Sequence, residues 1–525
     1  MSIHGKNFIG NKLLAESSVT FQAVDPSNGK ELEGIFYEAT PGEVAGAVQL
    51  AGGAFSIYRN KTGKEKALFL ETIADEILNL GDALIARCCA ETGLPEGRIT
   101  GERGRTMGQL RLFAQVVREG SWVDARIENA IPEREPVPKP DIRSMLKALG
   151  PAGIFGASNF PLAFSVAGGD TASALAAGCP VVVKAHPAHP GTCELVAGAI
   201  LRAAEKCSMP EGVFSLVHGK SVDVGMAMVN HPLIKAIAFT GSYKGGKALY
   251  DAAARRPEPI PVYAEMGSVN PVFILSESMV DKYEEIAAGF VGSVTLGTGQ
   301  FCTNPGVLIH ERSDAADKFK HVVREHIEKL DASTMLTRDI QNAYKKGLSR
   351  LESQQGVKVL ARGKEAGKGI KGTPEIVSVD SGTFLKNKSL QEEVFGPSSV
   401  HVEAKTKDEF VEIAKNLEGH LTASLFATEE DLKNNSELIS ILEQKVGRLI
   451  VNAFPTGVEV CHAMVHGGPF PATTDSRTTS VGTRAILRFA RPVCYQGFPD
   501  PMLPDELKNS NPLQILRMVD GERKK

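Results

Sequence analysis

The sequence lacks the features of a membrane, disulfide-stapled or nucleic-acid-binding protein. No apolar run is long enough to span a bilayer, and the opening MSIHGKNFIGNK has no apolar signal core. The 8 cysteines are scattered without a CxxC pair, which in a chain of 525 residues argues against a disulfide framework or a zinc site. The net charge is only -3, and no basic run occurs. We therefore expect a cytoplasmic protein with no metal site and no nucleic-acid or membrane partner.

What is present is an ordinary globular composition, 42% hydrophobic and 23% charged, whose length predicts two or three domains. From about residue 146, short apolar runs alternate with helical patterns, as in PVVVK at 180–184 followed by a predicted helix over 190–206. A further helix is predicted over 163–177. A second alternating block runs from about 275 to 470. This spacing predicts an α/β fold with βαβ units and parallel sheets.

Several polar residues fall at the carboxyl ends of predicted strands, where parallel sheets bind ligands. They are Asn159, Lys184 and the Gly241-Ser242 pair. Small residues at 239–246 expose N–H groups at a helix start and so favour a phosphate site, although a tight turn is the alternative and GxGxxG is absent. Lys184 either reaches solvent or serves a ligand. No acidic residue follows it, which leaves room for the 2′-phosphate of NADP.

One cysteine is a candidate nucleophile. Cys302 lies in GTGQFCTNPG (297–306) among small and polar residues, whereas a structural cysteine is usually surrounded by apolar ones. Glu265 follows an apolar run, and burial at a strand end would raise its pKa and suit it as a general base. Glu393 precedes a sharp turn. The alternatives are an incidental cysteine, a surface glutamate and a solvated acidic pair.

Taken together, these segments resemble the NAD(P)-dependent aldehyde dehydrogenase family over nearly the whole chain. The order and the approximate spacing of the motifs are similar to the family's, including the 37 positions from Glu265 to Cys302 (302 − 265). The motifs are SNFP (158–161), VVVK (181–184), FTGS (239–242), EMGSVNP (265–271), GQFCTNPG (299–306), EEVFGP (392–397) and GRLIVN (447–452).

The resemblance implies a role for each matching residue. Cys302 would attack the aldehyde to give a thiohemiacetal and then a thioester, Asn159 with the Cys302 N–H would form the oxyanion hole, and Glu265 would activate the deacylating water. The implied cofactor-binding residues are Lys184, Lys220, Gly241, Ser242, Glu393 and Phe395. The candidate substrate contacts are Arg105, Arg111, Phe160 and Asn452; for the two arginines the alternative is solvation or pairing with Glu102.

The sequence departs from the family pattern at positions that affect which cofactor and which aldehyde we expect. Lys184-Ala185-His186-Pro187 lacks the ribose-binding glutamate, which favours NADP, with NAD as a second acceptor. The late segment HGGPFPATTDSRTTSVGT (466–483) resembles the branch that oxidises 2,5-dioxopentanoate to 2-oxoglutarate in sugar-acid catabolism. A branch that oxidises long-chain fatty aldehydes with NADP shares some of these features and is the alternative.

The resemblance also implies two open parallel-sheet α/β domains and a small β oligomerisation ribbon. Residues 1–126 and 148–273 would bind the cofactor, 274–484 would carry the nucleophile, and 127–147 with 485–525 would form the ribbon and tail of a homodimer or homotetramer. Two other classes of protein are alternatives. A thiol hydrolase normally needs a histidine near Cys302, and none flanks it in sequence. A catalytically silent relative is disfavoured because Cys302, Glu265 and Asn159 are all present.

Overall fold

The computed structural model describes residues 3–365 and 367–525, so residues 1, 2 and 366 of the predicted domains lie outside the described residues. Within these ranges, two seven-stranded sheets and one five-stranded sheet organise the chain. The α/β fold class with parallel sheets is confirmed. None of the described helices combines the length and the apolar character needed to cross a membrane.

The first sheet has five parallel strands that start at one edge and an antiparallel pair at the other edge. Across the sheet the strands are Val262–Glu265, Ala236–Thr240, Ala152–Phe155, Val181–Lys184, Phe214–Val217, Asn7–Ile9 and Lys12–Leu14. Val181 and Val183 pack into one core while Val182 packs into the opposite core. Because helices cover both faces of this parallel sheet, its strands are apolar without alternation.

Helices on both faces complete this layer. Pro41–Tyr58 begins with a capping box between Thr40 and Glu43. The α-helices from the start of the chain to the end of the first sheet are Pro41–Tyr58, Gly63–Leu78, Gly81–Thr92, Glu96–Glu119, Gly169–Ala177, Pro190–Lys206, Val222–Asn230 and Tyr243–Ala254.

The predicted helix over 163–177 is wrong in its first turns, because the helix begins only at Gly169. The buried carboxylate of Glu102 accepts hydrogen bonds from the N–H groups of Leu162 and Ala163, both at 2.9 Å. A side chain therefore satisfies the amides that a helix start would have left free.

The second sheet is parallel except at one edge. Its strands, in order, are Lys358–Arg362, Glu375–Asp380, Ser398–Ala404, Val307–Glu311, Val272–Ile274, His420–Phe426 and Val446–Val451. The helices around it are Ser276–Thr295, Asp314–Lys329, Arg338–Glu352, Ser381–Lys386, Lys407–Asn416, Glu429–Asn434 and Ser436–Glu443.

A five-stranded sheet joins distant parts of the chain. Its strands, in order, are Ala490–Gln496, Ile142–Ala148, Arg126–Glu128, Arg517–Val519 and Glu522–Lys524. Shorter pairs are Thr20–Phe21 with Phe36–Tyr37, Val24–Asp25 with Lys30–Glu31, and Ser333–Thr334 with Lys371–Gly372. The 3-10 helices are Ser121–Val123, Leu296–Gly299, Lys388–Gln391, Thr483–Phe489, Asp500–Met502 and Asp505–Leu507.

Candidate active site

The carboxyl ends of the first sheet converge on one edge. In the strand register Lys184 and Phe239 both pair with Phe155, and Thr240 pairs with Glu265. The chain order reverses between Ala152–Phe155 and Ala236–Thr240, so their ends form a switch point of the kind that binds ligands in open α/β sheets.

A cavity of about 1040 Å³ opens at this edge, and its lining includes Cys302, Leu336 and Glu393 from the later part of the chain. It brings together most of the residues singled out in the sequence. Those lining it are Asn159, Lys184, Lys220, Gly241, Ser242, Glu265, Cys302, Glu393 and Phe395. The cavity therefore joins the candidate nucleophile to the candidate cofactor residues.

The Cys302 loop is held by close backbone packing and by an asparagine that sequence reasoning missed. Gly299 has a φ of +64° and packs directly on the carbonyl of Gly396, leaving no space for a side chain. The buried Asn270 donates through Nδ2 to the carbonyls of Cys302 and Asn304, each at 2.9 Å. These contacts fix the backbone that carries the thiol.

The thiol contacts a histidine–carboxylate pair. Cys302 Sγ lies 3.4 Å from His466 Nε2, and the same nitrogen lies 2.8 Å from Glu265 Oε1. The Ser480 hydroxyl donates to Glu265 Oε2 at 2.7 Å. Glu265 and His466 are buried, whereas Cys302 is partly exposed to the cavity.

The hydrogen bonds assign the tautomer of His466. Its Nδ1 is buried without a hydrogen-bond partner among residues 3–365 and 367–525. A proton on Nδ1 would therefore lose a hydrogen bond, whereas a proton on Nε2 is donated to Glu265. With Nε2 protonated, His466 holds the Glu265 carboxylate in place beside the thiol.

The electrostatics of the pair suit proton transfer from the thiol. Burial alone would raise the pKa of Glu265, but His466, Ser480 and Arg488 outweigh it and hold that pKa below the usual range. Burial, and then the Glu265 carboxylate, raise the pKa of the Cys302 thiol well above its usual value. At neutral pH the site thus contains a thiol next to an ionised base.

Asn159 lies on the loop after Ala152–Phe155 and faces the nucleophile's loop. Its Nδ2 donates to the carbonyl of Gln300 at 3.0 Å, two residues before Cys302. An amide nitrogen carries a second N–H, and the residue lines the cavity. Asn159 can therefore donate to an oxygen that develops charge beside Cys302.

The cavity's charged groups fit a dinucleotide. Burial lowers the pKa of Lys184 to about 8, and its Nζ donates to the carbonyl of Gly219 at 2.6 Å. Ser242 caps the helix Tyr243–Ala254, whose first-turn N–H groups suit a phosphate. Burial raises the pKa of Glu393 to about 7. The exposed Lys220 lies with its Nζ 5.7 Å from the ring centre of Phe21.

Two of the four predicted substrate residues lie beside the nucleophile. The Arg105 guanidinium lies over the rings of Phe160 and Phe164, 5.5 and 5.1 Å from their centres. Its Nε and Nη2 are buried and have no hydrogen-bond partner in the described part of the chain. Arg105 also stabilises the Cys302 thiolate electrostatically, partly opposing the rise in its pKa. Glu102, the alternative partner, instead pairs with Arg98.

The other two predicted substrate residues lie elsewhere. The exposed Arg111 pairs with Asp75 at 2.8 Å and lines only an outer cavity of about 450 Å³ that it shares with Arg105. Both ends of the Asn452 side-chain amide bond the backbone of Ala427, each at 2.9 Å, and a substrate contact by Asn452 stays a prediction.

His466 is the functional residue that the sequence did not reveal. It lies 164 positions after Cys302 (466 − 302), so no local motif connects them. The available signal was that it begins the late segment 466–483, which departs from the common family pattern and also supplies Ser480. A histidine within reach of Cys302 meets the main requirement of a thiol hydrolase, but the cofactor-like cavity has no place in that chemistry.

The family is settled by comparison with known proteins. The model of the "Aldehyde dehydrogenase family" matches residues 14–473. The chain belongs to this family, whose members use NAD(P), and is an aldehyde dehydrogenase.

Two relatives match this chain over nearly its full length. The chain is 50% identical over 523 residues to alpha-ketoglutaric semialdehyde dehydrogenase 2 of Azospirillum brasilense, covering 99% of this chain and 100% of that protein. It is 45% identical over 519 residues to alpha-ketoglutaric semialdehyde dehydrogenase of Acinetobacter baylyi, covering 99% and 98%.

Solved structures agree on the fold. A point mutant of Thermus thermophilus 1-pyrroline-5-carboxylate dehydrogenase superposes with a TM-score of 0.80 at 22% identity, covering 94% of this chain and 93% of that one. A Staphylococcus aureus betaine aldehyde dehydrogenase mutant in complex with NAD+ gives 0.79 at 19% identity, covering 96% and 99%. The aldehyde-dehydrogenase-like fold predicted from the sequence is confirmed.

Proposed function

We propose that the enzyme oxidises 2,5-dioxopentanoate, the semialdehyde of 2-oxoglutarate, to 2-oxoglutarate. The observation that carries this substrate is the unpartnered guanidinium of Arg105 beside Cys302. The names of the two relatives support the same aldehyde.

The chain's own residues account for the chemistry on the aldehyde. The Cys302 thiol gives its proton to the Glu265 carboxylate, which His466 and Ser480 hold in place, and sulfur attacks the carbonyl carbon. Asn159 donates to the oxygen of the resulting thiohemiacetal. When bound, NAD(P) supplies the two-electron acceptor. Glu265 releases the thiol proton to solvent through the cavity and, again as a carboxylate, takes a proton from the water that hydrolyses the Cys302 thioester.

Arg105 provides the selectivity for an aldehyde that also carries a carboxylate. The substrate carries a carboxylate at the end opposite its aldehyde, and a guanidinium can bind a carboxylate through two parallel hydrogen bonds. Phe160 and Phe164 flank the guanidinium, and its Nε and Nη2 are buried. A long-chain aldehyde, the alternative substrate, would leave this buried charge without a partner.

We also propose NADP as the preferred cofactor. Lys184 and Lys220 both line the cavity, where either ammonium can meet a 2′-phosphate. Pro187 occupies the position three residues after Lys184, where family members that bind the ribose through a carboxylate have a glutamate. NAD remains a second acceptor in this proposal.

A homodimer or homotetramer is proposed from the five-stranded sheet. Its edge strand Ala490–Gln496 pairs on one side only, with Ile142–Ala148. The free side of an edge strand favours pairing with another chain.

The test measures kcat/KM for 2,5-dioxopentanoate and for dodecanal, each with NADP and with NAD. In Arg105→Leu the value for the dioxo acid should fall by roughly 100-fold, which corresponds to about 3 kcal/mol for a lost buried charge pair, while dodecanal changes little. Arg111→Leu is the matched control on the same helix and should leave both values near wild type.

Equal loss for both aldehydes in Arg105→Leu would contradict the carboxylate-binding role. A wild-type preference for dodecanal would instead support the long-chain branch. A wild-type preference for NAD would contradict the cofactor proposal alone.

A further inference from the structure

The Cys302 site brings together three side chains of the types that bind zinc. Cys302, His466 and Glu265 each present one ligand atom, and the three atoms lie within 4.8 Å of one another. They form the only such group of three or more among residues 3–365 and 367–525. Thiolate sulfur, imidazole nitrogen and carboxylate oxygen are the ligands that Zn²⁺ uses in proteins.

The distances match a tetrahedral zinc site closely. Usual zinc–ligand lengths place sulfur about 3.5 Å from nitrogen, and nitrogen about 3.4 Å from oxygen. Cys302 Sγ and His466 Nε2 are already 3.4 Å apart, whereas His466 Nε2 and Glu265 Oε1 are 2.8 Å apart. A shift of the carboxylate by roughly half an ångström would bring this nitrogen–oxygen distance to the value for a zinc site.

The surroundings also suit an ion. Cys302 and Glu265 line the large cavity, so an ion has a route in and a water molecule can take the fourth position. The Ser480 hydroxyl holds the second oxygen of Glu265 at 2.7 Å, as outer-shell donors do for metal-binding carboxylates. A thiolate and a carboxylate repel each other in this site, and a divalent cation would neutralise both.

We propose that Cys302, His466 and Glu265 form an inhibitory binding site for Zn²⁺. Binding releases the thiol proton and moves the imidazole proton from Nε2 to Nδ1, so that sulfur and Nε2 both bind the ion. The ion then occupies the nucleophile and the base together, and the aldehyde is excluded until the ion leaves. The bound ion blocks the enzyme reversibly and supplies no catalytic group.

Cobalt(II) is the probe for this site, titrated into the cofactor-free full-length enzyme. We expect one Co²⁺ per chain, with a thiolate-to-cobalt charge-transfer band and the visible bands of a four-coordinate site, displaced by Zn²⁺. The charge-transfer band should disappear in Cys302→Ser. The affinity should fall by about tenfold or more in His466→Asn and in Glu265→Gln, because each removes a direct ligand.

A second buried Cys–His contact provides the matched control. Cys193 Sγ lies 3.2 Å from His189 Nδ1, without a carboxylate as a third ligand in the described structure. Cys193→Ser should leave the cobalt spectrum unchanged. In parallel, peptide mass spectrometry should show that Zn²⁺ protects Cys302 from iodoacetamide and that a chelator restores its alkylation.

A band that survives in Cys302→Ser, or undiminished alkylation of Cys302 with Zn²⁺ bound, would overturn the proposal. Far-ultraviolet circular dichroism checks the folding of each variant. If His466→Asn does not fold, the spectra of Cys302→Ser and Glu265→Gln decide the outcome. Because cobalt binding is read without substrate, failure here leaves the proposed dehydrogenase function untouched.

Discussion

Replacing Glu393 with glutamine should stabilise the enzyme at alkaline pH and have little effect at acidic pH. Burial raises the pKa of the Glu393 carboxyl to about 7, and the N–H of Ser268, 3.4 Å away, only partly opposes this. The side chain is also packed tightly, since a Cβ placed on Gly267 would come within 2.5 Å of its Oε2. Glutamine has nearly the same shape and carries no charge.

The sign follows from the two pKa values. The pKa of Glu393 is raised from 4.5 to about 7, so in the unfolded chain it ionises at lower pH than in the folded one. Its contribution to stability is therefore fully present below about pH 4.5 and is lost as the pH rises through about 7. The shift corresponds to about 3 kcal/mol, which partial exposure to the cavity reduces to about 2 kcal/mol.

Scanning fluorimetry from pH 5 to pH 9 measures the effect. A chain of this size gains roughly 2 °C in Tm from 2 kcal/mol, so Glu393→Gln should exceed wild type by about that much at pH 8.5 and match it at pH 5. Glu392→Gln is the control, because Glu392 is exposed and pairs with Arg350. A difference in Tm that is constant across this range, or a Gln variant that is less stable at pH 8.5, would refute the reasoning.

Three further variants test the site. Cys302→Ala should lower kcat by at least about 1000-fold while NADP affinity, measured by calorimetry, stays near wild type; a near-native rate would contradict the nucleophile. Glu265→Gln should still give a stopped-flow burst of about one NADPH per active site, formed more slowly because the Cys302 thiol has lost its base, while steady turnover collapses; a normal steady rate would remove Glu265 as the deacylating base. Asn270→Ala should lower both Tm and kcat, because it leaves the buried carbonyls of Cys302 and Asn304 without donors at a cost of about 2–4 kcal/mol; an unchanged kcat would separate loop support from catalysis.

The fold was largely predictable from the sequence because a parallel sheet imposes a strong pattern. A strand buried on both faces must be apolar along its length, as residues 181–183 are, and a polar residue such as Lys184 can only stand at its end. This is why Asn159, Lys184 and Ser242 were found at strand ends and why all three line one cavity.

Contacts between segments far apart in the chain were not predictable. His466 reaches Glu265 across 201 positions (466 − 265), and no periodicity links a coil residue to a strand end at that separation. The missed helix start has the same cause, since Glu102 reaches Leu162 and Ala163 from another helix. The motif position of Asn452 likewise carries no sign that its side-chain amide bonds the backbone of Ala427.

The five-stranded sheet can be completed only after nearly the whole chain has been synthesised. Ile142–Ala148 emerges 342 residues before its partner strand begins at Ala490 (490 − 148), and at typical elongation rates this delay is roughly 20 to 70 seconds. During that interval one side of the strand is unpaired and open to association with other nascent chains. His466 and Ser480 also arrive late, so Glu265 acquires its partners only when nearly the whole chain has been made. A ribosome that stalls in the last tenth of the message would thus release a chain that has the nucleophile and most of the cofactor cavity but no completed sheet.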